Sequence, residues 1–503
     1  MPTVYVAGDV RGIQGYIFSS PRLLEMRGAS ALIDFFDRKA VPALVADAGG
    51  KTIFSGGGNF LAKLEGERAE EKATLLIDRT RHAFLDLVGT ADLTVVKHAS
   101  EAGFAVSYEE LTAKMRAAKR SPSGVEALAS MPFLKRCESC GREAADKPVP
   151  RPRAPEGTEP HWVGPVCWRK RRIHARLQEA HKHPASGRAR WSVFGLPGEL
   201  EVPPVTEALG QASLPSDFQE LTRDEDLAIM VADGNGLGEW LEDRDEDGFR
   251  KLSTAIDETL RESLDSATEA AFGGEPKPNL QVLICGGDDL VVALPARRAL
   301  PFVRELLASF RIEDPDGPER TAGISAGLVF CRTGFPFRRA HDLAGELVGR
   351  AKERCRREGL GGAVDFHRIL GSHVQSLDRE RGTVEAVTEK AEGWSYGAAG
   401  PYSAEELDTL LDLAQTLRTG TSATQRGRLR EILSPRDDRP ARSHLEGAPA
   451  RGGRAEALAF SPGRRHRSSW PTTRFPKSSC GRTPEGAMAP SCERCGAGSS
   501  PTL

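Results

Sequence analysis

Three aspartates follow short apolar runs that could bring their carboxylates together. Asp233 ends the apolar run at residues 229–232, and Asp288 and Asp289 complete a Gly-Gly-Asp-Asp sequence that begins at Gly286. Carboxylates from separate strands provide the hard oxygen ligands that Mg²⁺ prefers. Two such ions, roughly 3.5–4 Å apart, neutralise a triphosphate and activate a ribose hydroxyl. The pattern predicts a catalytic site for phosphoryl transfer between nucleotides that uses two Mg²⁺ or Mn²⁺ ions.

Residues around these aspartates are candidates for holding the nucleotide. Gly286 and Gly287 allow a close backbone approach because they lack a Cβ atom, and Gly234 opens a glycine-bearing turn after Asp233. Lys352 could reach a triphosphate from a later helix. The alternative for Lys352 is a solvated lysine in the basic run at residues 350–357. An isolated Gly-Gly-Asp-Asp sequence could equally be an ordinary acidic β-turn, so its interpretation depends on the surrounding elements.

The surrounding pattern predicts a ferredoxin-like palm. Apolar β runs stand on both sides of the glycine turn, which is typical of a β-hairpin. Helices are expected at residues 300–310 and 342–357, and a strand at residues 321–331. The order strand, helix, hairpin, helix, strand is that of a ferredoxin-like unit. A helix before the hairpin is indicated by apolar residues at helical spacing, namely Phe249, Leu252, Ile256, Leu260 and Leu264.

A second copy of this pattern lies near the start of the chain. Residues 52–61 repeat the hairpin at residues 282–291, and residues 4–12 repeat the strand and turn at residues 229–236. Gly58 and Asn59 replace the acidic pair, so we expect no two-metal site in this copy. The turn at Ser55, Gly56 and Gly57 is predicted to hold a second nucleotide. The alternative is a purely structural repeat.

The predicted fold class is α+β, with two ferredoxin-like palms, a small cysteine-containing insertion and a C-terminal helical segment. The insertion carries Cys137, Cys140 and Cys167, whose spacing is typical of metal ligands. The last segment has almost no aliphatic pattern, which indicates a disordered or aberrant tail. The predicted boundaries are 1–125 for the first palm, 126–190 for the insertion, 220–370 for the catalytic palm, 400–433 for the helical segment and 434–503 for the tail.

Composition excludes several classes of protein. The net charge is −2, so no overall basic field draws the chain to nucleic acid, and any such binding must be local. No apolar run reaches the roughly 18 residues that span a bilayer, and the N-terminus lacks a signal-peptide pattern. Nine cysteines in 503 residues are too few for a disulfide scaffold. We therefore expect a cytoplasmic protein without a membrane partner.

Together these motifs resemble the large polymerase/cyclase subunit of type III CRISPR effector complexes. The resemblance covers roughly residues 4–366 and depends on segments 8–18, 27–31, 55–59 and 286–289, with support from 324–327 and 351–352. It implies conversion of ATP to cyclic oligoadenylate, a second messenger in antiviral defence. It also implies that guide RNA, target RNA and other type III CRISPR subunits are partners.

The resemblance also assigns roles to individual residues. Asp233 and Asp288 would be metal ligands, while Asp289 would hold metal or help position the attacking hydroxyl. Gly286 and Gly287 would line the nucleotide, and Lys352 would contact phosphate.

Three features depart from the family pattern. The first palm begins at Val4 and leaves no room for the HD nuclease domain that many family members carry, so we expect no DNA cleavage by such a domain. The dipeptide His341-Asp342 consists of the same two residue types, but it is expected at the start of a helix. The family's insertion binds zinc, but here Lys170 replaces the fourth cysteine. Either His174 or His161 completes the four ligands, or the zinc site is lost. The C-terminal helical domain, which contacts other subunits in the family, is short.

Two other functions compete with an ATP-dependent cyclase. The chain could be a structural subunit of a guide-RNA ribonucleoprotein, although such a palm would be free to lose its three aspartates. It could also be a GGDEF-type synthase of cyclic dinucleotides from GTP. The double palm and the cysteine insertion argue against the second alternative.

Overall fold

The computed structural model describes residues 3–120, 134–151, 155, 157–182, 214–242, 244–273, 275, 278–314, 317–369, 377 and 400–432. The predicted tail at 434–503 lies outside the described residues, as does its Cys492-Glu-Arg-Cys495 sequence, which has the same spacing as Cys137 and Cys140. Within them the chain forms two palm-type sheets, one of four strands and one of six. The predicted α+β class with two palms is confirmed.

The first palm is a four-stranded antiparallel sheet with the order β2-β3-β1-β4. Its strands are β1 (Thr3–Arg11), β2 (Lys51–Gly56), β3 (Asn59–Glu65) and β4 (Asp92–Ser100). Its helices are α1 (Ile13–Ile17), α2 (Leu23–Phe35), α3 (Val41–Asp47), α4 (Ala69–Leu87) and α5 (Phe104–Lys119), with a π-helical turn at Phe36–Ala40 between α2 and α3.

An insertion with a small hairpin follows the first palm. Its strands are β5 (Lys147–Val149) and β6 (His161–Val163), and it ends in the long helix α6 (Pro165–Lys182). Helix α6 packs on α2 of the first palm. This close contact requires Gly28, because a Cβ atom there would lie 2.0 Å from the carbonyl oxygen of Lys170.

The second palm is a six-stranded sheet with the order β14-β13-β12-β7-β9-β8. Its elements are α7 (Phe218–Thr222), β7 (Leu227–Gly234), α8 (Leu237–Glu242), α9 (Glu246–Phe272), β8 (Gln281–Gly286), β9 (Asp289–Pro295), α10 (Ala296–Ser309), β12 (Ile324–Cys331), α11 (Phe337–Glu358), β13 (Ala363–Arg368) and β14 (Tyr402–Ser403). A separate hairpin of β10 (Ile312–Asp314) and β11 (Gly317–Ala322) precedes β12.

The chain continues into two further helices, α12 (Ala404–Gly420) and α13 (Ala423–Ile432). A capping box at Ser403 and Glu406 begins α12. Arg354 of α11 donates two hydrogen bonds to the Glu406 carboxylate, which ties α12 to the second palm. Beyond Leu411 most of α12 is exposed.

One hydrophobic core contains residues of both palms, and the second palm has a further core of its own. Helix α9 of the second palm lies against β2 of the first, and α2 of the first lies against β8 of the second. Arg38 crosses this boundary and donates to Asp257 of α9 at 3.0 Å. Each palm therefore packs one of its helices against the hairpin of the other palm. No helix in the described ranges is both long enough and apolar enough to cross a membrane.

Candidate active site

The structure brings Asp233 and Asp288 together at the edge where β7 ends. Asp233 is the second-to-last residue of β7, and Asp288 lies in the turn between β8 and β9. A Cβ atom at Gly234 would lie 2.9 Å from Oδ2 of Asp288, so the Asp288 carboxyl packs directly against the residue after Asp233. Ala232 pairs with Leu290, which places Asp233 beside Asp289. All three predicted catalytic residues therefore share one edge.

The three carboxylates repel one another in a partly dry site. Burial, and then the neighbouring Asp233 carboxylate, raise the pKa of Asp288. Desolvation by surrounding protein, followed by the charges of Asp233 and Asp288, raises the pKa of Asp289 to about 7, although solvent still reaches the Asp289 side chain. Closely spaced carboxylates with raised pKa values are typical of sites that bind a compensating cation. Their oxygen ligands fit Mg²⁺ or Mn²⁺.

Lys352 is the cation at this edge. Its Nζ lies 2.5 Å from Oδ1 of Asp233, and it projects from α11. Only about 28% of its side chain is exposed, so the alternative of a fully solvated helix lysine does not describe it. Lys352 thus stands where a triphosphate bound by the aspartates would need a positive charge.

Beside this pair, the turn after β7 is held by the neighbouring strand. Ser325, which pairs with Asp233 across the β7–β12 ladder, donates from Oγ to Oδ1 of Asn235 at 2.8 Å. Asn235 in turn donates from Nδ2 to the carbonyl of Gly361. Ser325 is fully buried, so in this structure it supports the turn rather than facing a nucleotide.

The two hairpins correspond residue by residue. Gly56 pairs with Asn59 as Gly286 pairs with Asp289. Each hairpin also carries a β-bulge at the matching place, after Thr52 in the first and after Val282 in the second. The ladder thus places Gly58 and Asn59 at the positions that Asp288 and Asp289 occupy in the second palm.

The first palm retains an acidic and basic pair that the sequence analysis missed. Asp9 pairs with Asn59, and its Oδ2 lies 2.5 Å from Nζ of Lys119 at the end of α5. This repeats the contact between Asp233 and Lys352. The available signal was the position of Asp9 in the repeated strand. Lys119 could not be paired with it, because 110 residues separate the two in sequence.

A cavity of about 490 Å³ lies between the palms and is lined by both glycine turns. Gly56, Gly57, Gly286 and Gly287 line it together with Asp288 and Asp289. Arg116 and Lys119 add positive charge from the first palm. The rest of the lining is largely apolar and includes Phe54, Tyr108, Leu237, Leu241, Phe249 and Ile256. Apolar walls with a few convergent polar groups are typical of sites for small organic ligands.

Among the predicted first-palm residues, Ser55 stands apart. Its hydroxyl donates to the carbonyl of Asp37 at 2.6 Å, so it braces the turn. Ser55 is absent from the residues that line this cavity, whereas Gly56 and Gly57 line it.

The insertion holds a cluster of three cysteines and a glutamate. One ligand atom from each of Cys137, Cys140, Cys167 and Glu143 lies within 4.8 Å of the other three. Cys137 and Cys167 are buried, and hydrogen bonds from Cys140 and Cys167 lower the pKa of the Cys137 thiol. A closed set of four nitrogen, sulfur or oxygen ligands fits structural zinc.

The structure brings Glu143, rather than His174 or His161, to the cysteines. His174 is buried, and its Nδ1 lies 3.1 Å from a guanidinium nitrogen of Arg27. His161 contacts the guanidinium of Arg22. Lys170, at the expected cysteine position, donates from Nζ to the carbonyl of Tyr16 at 2.7 Å. Glu143 was not among the predicted ligands, because the spacing pattern of zinc sites involves cysteine and histidine.

The other sequence features have structural roles. His341 lies within α11, where its ring packs 4.6 Å from that of Phe18. Arg27, in a segment that carries the family resemblance, is fully buried and donates to Oε1 of Gln281 at 2.6 Å. It therefore joins α2 to the start of β8.

A family model identifies the second palm. Residues 226–361 match the model described as the second palm domain of Cas10/Cmr2. This part of the chain is a Cas10/Cmr2 palm. The resemblance predicted from the sequence is thereby confirmed for the unit that carries Asp233, Asp288 and Asp289. The matched range runs from the residue before β7 to the turn before β13, so it includes Asp233, Asp288, Asp289 and Lys352 but not the first-palm residues that line the cavity.

The solved structures with a similar fold contain the proteins Csm1 and Csm4. A Csm1-Csm4 cassette in complex with cA4 matches at 16% identity and a TM-score of 0.48, covering 89% of this chain and 65% of that chain. The apo cassette matches at 17% identity and a TM-score of 0.49, covering 88% and 64%. A cassette with one ATP matches at 16% identity and 0.47, again covering 88% and 64%. The search of curated proteins gave no match.

The chain spans just under two thirds of the length of these matched chains. At such low identity the likeness concerns the fold alone.

Proposed function

We propose that this protein is a nucleotidyl cyclase that converts ATP to cyclic oligoadenylate through a two-metal site in the Cas10/Cmr2 palm. The observation that carries the proposal is the meeting of Asp233 and Asp288 at one sheet edge, with Lys352 2.5 Å from Asp233. Three carboxylates and one lysine match the charges of a metal-bound triphosphate.

Each residue has a role that follows from its place. Asp233, Asp288 and Asp289 would hold the ions, which when bound neutralise the triphosphate and lower the pKa of the attacking ribose hydroxyl. Lys352 exchanges its contact with Asp233 for a phosphate oxygen. Gly287 leaves room for the nucleotide, because no atom lies within 4 Å of where its Cβ would be, whereas the missing side chains of Gly234 and Gly286 make room for Asp288 and Gly57.

A second nucleotide would bind across the palm boundary. To join two nucleotides, a ribose hydroxyl of one attacks the α-phosphorus of the other and pyrophosphate leaves, so the two must be held close together. Gly56 and Gly57 line the same cavity as Asp288 and Asp289, and Lys119 and Arg116 supply positive charge there. We assign this first-palm side to the second nucleotide.

We further propose that the enzyme serves type III CRISPR antiviral defence together with guide RNA, target RNA and other subunits of such a complex. The motifs of the sequence and the Cas10/Cmr2 match of residues 226–361 support this assignment. The exposed part of α12 is available for such a contact. Co-purification of guide RNA and partner subunits tests this assignment separately from catalysis.

The cysteine cluster would hold one structural zinc ion. Cys137, Cys140 and Cys167 supply three sulfur ligands, and Glu143 supplies a carboxylate oxygen. Such a site would fix the insertion at the start of α6, where Cys167 lies.

The test of catalysis is incubation of the purified protein with ATP, or with GTP, in Mg²⁺ or Mn²⁺, followed by mass spectrometry of the products. Cyclic oligoadenylate is the expected product, and the Asp288→Ala, Asp289→Ala double variant should form none. A matched double variant, Asp342→Ala with Glu346→Ala, removes two exposed carboxylates of α11 and should keep the activity.

Both double variants should unfold near the wild-type temperature, since neither the turn carboxylates nor the exposed carboxylates of α11 belong to the core. Product formation by the Asp288→Ala, Asp289→Ala variant would contradict the proposed mechanism. A protein that is inactive alone should be assayed again with co-purified guide RNA and a complementary target RNA.

A further inference from the structure

The glycine turn of the first palm borders open space on two sides. Gly56 and Gly57 line the larger cavity, and Gly57 also lines a second cavity, of about 320 Å³. Asp34 and Asp37 of the first palm and Gly286 of the second border this smaller cavity too. Because side chains pack on the turn from neither cavity, its position depends on the hydrogen bonds that hold it.

Asp37 supplies two of these hydrogen bonds. It lies in the π-helical turn Phe36–Ala40 between α2 and α3. Its Oδ2 accepts the backbone N–H of Gly58 at 2.6 Å, and its backbone carbonyl accepts the hydroxyl of Ser55 at 2.6 Å. The carbonyl of Gly58 is held separately, by the N–H of Val10 at 2.8 Å. Both ends of the two-glycine turn are therefore attached to Asp37.

The corresponding turn of the second palm supplies its own acceptor. Asp288 stands there in the place of Gly58, and its backbone N–H donates to its own carboxyl. Gly58 has no carboxyl, and Asp37, which lies 21 positions earlier in the chain, accepts the N–H instead. The first palm thus lacks a carboxylate for metal at this position but receives one that fixes the shape of the turn.

The segment that holds this turn is also attached to the second palm. Arg38, the next residue, donates to Asp257 of α9 at 3.0 Å and to Asp34 of α2 at 2.7 Å. Helix α2, which leads into the π-helical turn, packs against β8. Two adjacent residues therefore hold a first-palm turn and a second-palm helix, so the place of the turn is set relative to the metal edge.

Asp37 acts on the cleft only through this turn. It is 2% exposed, and its Oδ1 has no hydrogen-bond partner in the described part of the chain. Burial raises the pKa of Asp37 to about 8, against the opposing effect of the hydrogen bond from Gly58. A carboxyl that is covered in this way cannot be a ligand of the nucleotide, but it can determine where the backbone beside the nucleotide lies.

We propose that Asp37 is a positioning residue for the nucleotide that the first palm binds. It holds the turn at Gly56 and Gly57 where the two nucleotides can react. The inference rests on the function proposed above, since it presupposes a nucleotide beside each glycine turn. Reaction requires the hydroxyl oxygen and the α-phosphorus to approach within roughly 3–3.5 Å, and a displacement of about 1 Å can cost a hundredfold in rate.

The test is calorimetric titration with α,β-methylene ATP in Mg²⁺, an analogue that cannot release pyrophosphate and so reports binding without turnover. Wild-type protein should bind two molecules per chain. Asp37→Ala should weaken one of the two sites roughly tenfold, because the Gly58 N–H loses its acceptor and the turn moves. The other site and the affinity for Mn²⁺ should stay unchanged, and kcat with saturating ATP should fall.

Asp37→Asn is the rescue variant, because its amide oxygen can accept the Gly58 N–H; it should restore both affinities and kcat. Ser55→Ala removes the other hydrogen bond and leaves the buried carboxyl in place, so it should weaken the same site by a smaller factor. It carries the test if Asp37→Ala fails to fold, which thermal unfolding reports.

Leu44→Ala is the control for a general loss of stability. Leu44 is buried in α3 and is absent from the described residues that line the two cavities. The variant should unfold at a lower temperature and keep both affinities for the analogue.

Four results would overturn the inference. Unchanged affinities in a folded Asp37→Ala, or no recovery in Asp37→Asn, would show that Asp37 does not position the turn. Equal weakening of both sites in Asp37→Ala and Leu44→Ala would show a general loosening of the fold. A single site in the wild type would remove the second nucleotide as well, and no binding at all would overturn the proposed function. Two sites with the expected variants but no product from ATP would overturn the catalytic assignment alone.

Discussion

Gly57 of the first palm and Gly286 of the second touch backbone to backbone. A Cβ atom on Gly286 would lie 2.7 Å from the Cα of Gly57, and one on Gly57 would lie 3.2 Å from the carbonyl oxygen of Gly286. Gly57 also has a φ of +63°, which favours glycine. The contact joins the tips of the two corresponding hairpins, so both cavities are formed by the two palms together.

Gly286→Ala should separate the hairpin tips. Its methyl group would meet backbone atoms of Gly57 that cannot move aside as a side chain would, so we expect a loss of about 1–3 kcal/mol in the free energy of unfolding. Urea denaturation measures this loss, and titration with ATP should show weaker binding. Gly345→Ala, at an exposed position of α11 with open space around it, is the control and should not destabilise the protein. Equal stability of the two variants would contradict the close contact.

Lys352→Ala should impair turnover more than folding. Loss of a charge-assisted hydrogen bond to phosphate costs about 1.5–3 kcal/mol, so kcat/KM should fall roughly tenfold or more. Metal binding should persist, because Lys352 competes with the ions for Asp233 rather than assisting them. Product assays and Mn²⁺ titration measure the two effects. A full loss of Mn²⁺ binding would argue that Lys352 acts by holding the fold.

Asp37 should make the protein less stable as the pH rises. Its pKa is about 8 in the folded chain and roughly 3.9 when unfolded, so between these values the folded state binds the extra proton. The contribution is fully present below about pH 4 and is lost progressively up to about pH 8, at no more than about 1.4 kcal/mol per pH unit. Urea unfolding from pH 5 to pH 8 should show a shallower decline in Asp37→Asn than in the wild type. Parallel pH profiles would show that Asp37 is ionised when folded.

Glu143 should decide whether the insertion holds zinc. Elemental analysis of the wild type should find about one zinc per chain, and Glu143→Ala should lose most of it because one of four ligands is removed. Glu143→Cys restores a four-ligand set and should retain the metal. His174→Ala is the matched control, since His174 contacts Arg27 and should leave zinc content unchanged. Zinc loss in His174→Ala with retention in Glu143→Ala would reverse the assignment.

Local pattern was sufficient to predict much of the fold. Alternation of apolar residues, the glycine turns and the repeat between residues 52–61 and 282–291 indicate two hairpins of one design, and their ladders and bulges correspond. The family resemblance is confirmed by the Cas10/Cmr2 match of residues 226–361. These features can be predicted from the sequence because the periodicity of a strand and the type of a turn depend on residues that are close together in the chain.

The three aspartates were predictable for the same reason. Asp233 ends a strand, and Asp288 and Asp289 occupy a hairpin turn, so antiparallel pairing alone brings them to one edge. Their approach follows from sheet register, which the apolar pattern specifies.

Only the tertiary structure decided which distant side chains meet. Asp9 and Lys119, Arg38 and Asp257, and the contact between Gly57 and Gly286 each join residues more than 100 positions apart. Glu143 rather than His174 reaches the cysteines because α6 turns His174 toward Arg27. Packing likewise leaves Oδ1 of Asp37 without a hydrogen-bond partner in the described part of the chain. Sequence determines periodicity and turns through local sterics, whereas these meetings depend on how helices and sheets pack, which no local pattern records.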